Sequence, residues 1–203
     1  MKNSWYNVCQ HEFPASAKGK IKMYNHEKGK CDCFQCQAEK DGVSPEEALA
    51  NFKAWEAEKL ARFGWIVHYV GDDSDSPTGV NIHTHGIMES YDHLDLQIVM
   101  PLPQNVAHPI LGIIVDRIKN GEKFGDGDVL EQVIGGGFTL KVVAATECNR
   151  DVLRIIFPDQ SGDCDVWSMS EPYRRQYGDI VELPDVEKPK RKNWTPYKGK
   201  KSE

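Results

Sequence analysis

Hydrophobic positions along this chain repeat with two different periods, and the switches between them mark out its elements. Leu49, Phe52, Trp55, Leu60 and Phe63 recur near helical spacing, with Lys53, Glu56 and Lys59 off that stripe. Ser44 as N-cap, Pro45 at the first helical position and Glu47 three residues after the cap set a start, and Gly64 sets a stop. A helix over 44–64 follows, its stripe read as core packing rather than a cofactor box. Residues 65–70, Trp-Ile-Val-His-Tyr-Val, read as a strand, and 71–79 as a loop of turn formers. That loop carries three aspartates, but it lacks the closing glutamate and flanking helices of a calcium-binding hand.

The period then becomes two. Val80, Ile82 and Thr84 alternate with Asn81, His83 and His85, so a strand over 80–85 puts both histidines on one face and the apolar residues on the other. After a short turn, Leu94, Leu96, Ile98 and Met100 alternate with Asp95, Gln97 and Val99, which predicts a second strand paired beside the first. Helical spacing returns over 103–120 with Ile110, Leu111, Ile114, Val115 and Ile118. Pro109 inside the pattern places the expected start near His108. Residues 121–137 are glycine-rich and acidic. Gly135, Gly136 and Gly137 lack the lysine and hydroxyl residue of a phosphate-binding loop, so a turn is expected there. Two more strands, 138–145 and 151–157, complete the sheet, and the pattern dissolves from Glu171 onward.

The cysteines change the picture at the front of the chain. Residues 1–43 have neither period, yet they carry Cys9, His11, His26, Cys31, Cys33 and Cys36. Three thiols fall within six residues, and Cys33 and Cys36 have the spacing of a metal knuckle. Cys31 supplies a third sulfur, and Cys9, His11 or His26 a fourth ligand, for a structural zinc ion; an iron–sulfur cluster is the alternative. Free thiols in an arm are the plain reading of the same residues. Three segments follow: a metal-binding arm over 1–43, a core domain over 44–170 and an extended basic tail over 171–203.

Charge narrows the partners. The formal charge of the chain is -6, of which 187–203 contributes +5 and the remainder -11. An acidic body offers no clustered positive surface for phosphates, so nucleic acid is not expected on the core. The first residues lack the apolar run of a signal peptide, and no segment approaches the roughly 18 apolar residues that span a bilayer. The expectation is a soluble, cytoplasmic protein without membrane contact, whose partner is a protein or a small molecule.

Several of these residues fall in an order that resembles a known family, the bacterial domains of unknown function DUF4262, over roughly 58–167. The elements are a helix leading into 64–70, then Thr84-His85-Gly86-Ile87, then His93-Leu94-Asp95-Leu96, and later Phe157-Pro158-Asp159-Gln160-Ser161-Gly162. In many relatives Thr-x-Gly-Leu, Gly-His-Pro-Glu-Leu and Trp-Pro-Asp-x-x-Gly stand in these places. This chain departs from them with Asp92 before His93 and Leu94 after it, and with His85 at the middle position of the first element. The resemblance implies an α+β domain whose mainly antiparallel sheet packs against two helices, with the cysteine-rich arm outside it. It implies no reaction.

Two functions are consistent with these residues. One is a binding or regulatory module ordered by a structural zinc at the cysteine cluster. The other is a metal-dependent hydrolase with His83, His85 and His93 as ligands, and Asp95 or His68 as a supporting partner or general base. The same histidines are also compatible with hydrogen bonding to sheet neighbours alone.

Overall fold

The computed structural model describes residue 38 and residues 40–181, apart from 72 and 74. Among the described residues, three α-helices and one six-stranded sheet make an α+β domain. Helix α1 (Pro45–Phe63) begins where Ser44 Oγ accepts the Glu47 N–H at 3.3 Å, with Pro45 in the first turn, and ends at Gly64 in the left-handed region. It is followed by β1 (Ile66–Gly71), β2 (Val80–His85), the short helix α2 (Ile87–Tyr91) and β3 (Asp95–Ile98). Then come α3 (Gln104–Lys119), β4 (Val129–Leu130), β5 (Leu140–Glu147), β6 (Arg150–Ile156) and a 3-10 turn, Tyr173–Tyr177.

The strand order is β1-β2-β3-β6-β5-β4, and every neighbouring pair is antiparallel except β3 with β6. One face carries Ile82, Leu96, Ile98, Val142, Leu153 and Ile155, all buried against Ala107, Ile110, Leu111, Ile114, Val115 and Ile118 of α3. This is the main core. The stripe on α3 overrides Pro109: the helix starts at Gln104, not near His108. The missing proline N–H leaves one backbone bond unmade, while six buried side chains hold the turn in place.

The opposite face is covered at both ends and polar in the middle. Phe52 and Glu56 of α1 lie over β1, whereas Met169 and Tyr177 pack on Val143 and Ile156 at the other end. Residues 171–181, which the sequence pattern groups with the tail, thus fold onto the sheet. Gln176 anchors them by accepting the Phe157 N–H and donating to its carbonyl, each at 2.9 Å. Among the described residues no helix is long and apolar enough to cross a membrane.

Candidate functional site

Cross-strand register assembles the site. His68 of β1 pairs with His83 of β2, His83 with Gln97 of β3, and Gln97 with Arg154 of β6. Directly paired residues project to the same side of a sheet. These four therefore form a row across four strands, each no more than 5% exposed. His85, two residues beyond His83, adds a third imidazole on that side and is only partly buried. Its ring centroid lies 4.4 Å from that of His68 and 5.0 Å from that of His83.

One ligand atom from each of the three histidines lies within 4.8 Å of those of the other two. Burial holds His83 well below the ordinary imidazole range, helped by repulsion from His68 and Arg150. His85 is lowered to about 2, first by burial and then by His68, His83 and Arg150, with Glu147 opposing. The His83 and His85 rings are therefore neutral at neutral pH, the form in which imidazole binds a metal.

Carboxylates stand at two edges of the cluster. Glu56 Oε1 of α1 is 2.7 Å from His68 Nε2. The two are not aligned for a hydrogen bond, and among the described residues His68 Nε2 is the buried side-chain polar atom left without a hydrogen-bond partner. Glu147 Oε1 is 3.6 Å from His83 Nδ1, beyond a hydrogen bond. Asn81 Oδ1, at 3.1 Å, is the nearer acceptor for that nitrogen.

Arg150 closes the site from the first position of β6. Its Nε donates to Glu147 at 2.6 Å, Nη1 to Asp95 Oδ2 at 3.0 Å and Nη2 to the Thr84 carbonyl at 3.0 Å. Asp95 Oδ1 also accepts the Thr84 hydroxyl at 2.8 Å and the Ile87 N–H at 3.2 Å. The Asp95 carboxylate is thus fully engaged in joining β2, α2 and β6. Its pKa is nonetheless raised, because burial outweighs these donors.

The candidate residues read from the sequence separate accordingly. The structure brings His68, His83 and His85 together. It places His93 apart from them, with Nε2 accepting the Phe124 N–H at 3.0 Å and Nδ1 against the Leu94 carbonyl at 2.8 Å. Both ring nitrogens of His93 are spent on the backbone, so His68 takes the third position that the sequence reading gave to His93. Cys9, His11, His26, Cys31, Cys33 and Cys36 lie outside the described residues. Sequence reasoning passed over Glu56, Glu147, Arg150 and the Asn81–Gln97–Arg154 hydrogen-bond chain. Its only signal for them was that Gln97 and Asn81 occupy the polar phase of their strands.

The residues that carry the family order make turns and cross-strand ties of the sheet. Gly86 has φ +95°, and a Cβ there would stand 2.5 Å from Leu60 and 2.8 Å from the Gly64 carbonyl. Thr84 and Asp95 bridge β2 to β3. Asp159 Oδ1 accepts from the Ser161 N–H and the Asp163 N–H, and Oδ2 from Ser170 N–H, tying the turn before the C-terminal segment.

Fold and site together define an α+β domain with a largely buried three-histidine cluster on the polar face of its sheet. The chain belongs to the family described as a domain of unknown function (DUF4262), whose profile matches residues 59–163. No curated protein and no solved structure matches it.

Proposed function

We propose that this domain holds a divalent transition-metal ion of the zinc class on His68, His83 and His85, and that the centre serves metal-assisted hydrolysis. The observation that carries the reading is a cluster of three imidazoles, one ligand atom of each within 4.8 Å of the others, in which His68 Nε2 makes no aligned hydrogen bond and meets Glu56 Oε1 at 2.7 Å. Imidazole donors suit zinc, copper, iron and nickel, and three protein ligands with an open position are the pattern of catalytic rather than structural zinc. Such an ion supplies Lewis acidity and an acidified water at neutral pH. His85 is the partly exposed member of the set, so solvent and substrate would approach from its side. Glu56, beside His68, is the carboxylate placed to take a proton.

A second reading rests on the Cys33–Cys36 spacing with Cys31 beside it: a structural zinc in the arm, serving a binding or regulatory module. The two sites are separable. Elemental analysis of the full chain, purified without a histidine tag, should show one equivalent lost in His83→Ala and His85→Ala. A different equivalent should be lost when Cys31, Cys33 and Cys36 become serine. Histidine variants that keep the parent's metal content overturn the first reading. For hydrolysis, turnover of model carboxylic and phosphoric esters should disappear with chelator and in His85→Ala; no turnover by the metal-loaded parent contradicts it.

A further inference from the structure

We infer that Arg154 dictates which nitrogen of His83 is free to bind, acting through Gln97 and Asn81 as a polarised relay of three hydrogen bonds. Arginine Nε always carries a proton and never accepts. Arg154 Nε lies 2.8 Å from the Gln97 side chain, so the atom facing it is the amide oxygen, Oε1. The Gln97 amide nitrogen then faces Asn81 at 3.1 Å and can only donate, which turns Oδ1 of Asn81 toward it. That same oxygen lies 3.1 Å from His83 Nδ1. An oxygen of this kind offers no proton, so Nδ1 carries the hydrogen and the lone pair of the neutral ring is on Nε2.

Arg154 is itself held in one orientation. Its Nη1 donates to the Gln176 carbonyl at 2.9 Å and to Asp179 Oδ1, and its Nη2 to Asp179 Oδ2 at 2.6 Å. The Arg154 side chain is 1% exposed, and its guanidinium is constrained by strand β3 on one side and the C-terminal segment on the other. Glu147 Oε1, 3.6 Å from the same His83 nitrogen, favours the same proton position. Arg154, Gln97 and Asn81 are thus positioning residues, and the segment 171–181 becomes part of the site by orienting the first of them. The functional sense of this relay rests on the metal reading above; the tautomer it sets does not.

Two near-isosteric changes at neighbouring relay positions should act in opposite directions. In Gln97→Glu the new carboxylate still accepts from Arg154 but cannot donate, so Asn81 must turn its amide nitrogen inward and donate to both neighbours. His83 Nδ1 then becomes the acceptor and Nε2 the protonated atom. In Asn81→Asp the new carboxylate accepts from both sides as the native oxygen does, and it strengthens the imidazole as a ligand.

The test is nitrogen-15 multiple-bond NMR of the ring nitrogens in the metal-free full chain, followed by titration with Co2+. The parent and Asn81→Asp should show His83 protonated at Nδ1, and Gln97→Glu should show it protonated at Nε2. Co2+ affinity should fall about 10–100-fold in Gln97→Glu and stay at or above the parent's in Asn81→Asp. A parent His83 protonated at Nε2, or a Gln97→Glu tautomer identical to the parent's, overturns the relay. Tautomers as expected with no Co2+ bound at the histidines sustain the relay and remove the metal reading instead.

Discussion

His68 and His83 face each other across the β1–β2 ladder, their ring centroids 5.4 Å apart, each sealed from solvent and neither hydrogen-bonded to the other. His68 Nε2 makes no aligned hydrogen bond, and its polar contact is Glu56 Oε1 at 2.7 Å. His68→Leu should abolish tight metal binding while leaving the metal-free protein within about 1 kcal/mol of the parent, since the apolar side chain suits the burial but Glu56 loses its contact. Denaturant unfolding in chelator, set beside zinc titration, reads both. A variant that keeps the parent's zinc affinity would assign His68 to packing alone.

Gly86 sits where β2 enters α2, at a positive φ and against Leu60 and the Gly64 carbonyl. Gly86→Ala should destabilise the domain by more than about 1 kcal/mol, since it adds strain at φ +95° and a backbone collision. Urea unfolding midpoints measure this, and the loss should appear equally with and without metal.

The Arg154–Asp179 pair joins the sheet to the C-terminal segment. Removing the carboxylate leaves a buried guanidinium with its Gln97 and Gln176 bonds alone. Asp179→Ala should cost about 2 kcal/mol, near the middle of the range for hydrogen bonds to a charged group. Amide exchange over 173–181 should speed up relative to α3. Uniform exchange changes would show that the pair acts on the whole fold rather than on this segment.

Asp159 is held below the ordinary carboxylate range, foremost by the Ser161 hydroxyl and then by the Ser170 backbone N–H. A folded-state pKa below the unfolded one means that its stabilisation is fully present above the unfolded value, about 3.9. It is lost as pH falls from there through the folded value. Asp159→Asn keeps one acceptor oxygen but loses the partner of Ser170 N–H. Its melting temperature should be lower than the parent's at pH 7, with the gap narrowing below about pH 4. An unchanged gap across that range would remove the ionised carboxylate from the explanation.

Local pattern carried much of this fold and part of the site. Period two in 80–85 was enough to put His83 and His85 on one side of a strand, and the capping signals at Ser44 and Gly64 marked α1 to within a residue. His68 needed the register of β1 against β2, which is fixed across a loop with no pairing signal of its own. Gln97 and Arg154 meet through the one parallel pairing, between strands far apart in sequence, and no local periodicity encodes such a partner. The two-residue β4 was hidden in a glycine-rich stretch, and α2 is too short for helical spacing to register. His93 was misplaced because strand alternation gives a side chain's face but not whether backbone groups have already claimed its nitrogens.

The central claim is that three imidazoles from adjacent strands hold one ion. Its most direct measurement is X-ray absorption at the zinc edge on the full chain with Cys31, Cys33 and Cys36 changed to serine, loaded with one equivalent of zinc. The account predicts a first shell of nitrogen and oxygen donors at about 2.0–2.1 Å, with imidazole scattering that vanishes in His83→Ala. An ion bound with no imidazole in its shell, or the same spectrum in His83→Ala, would contradict it.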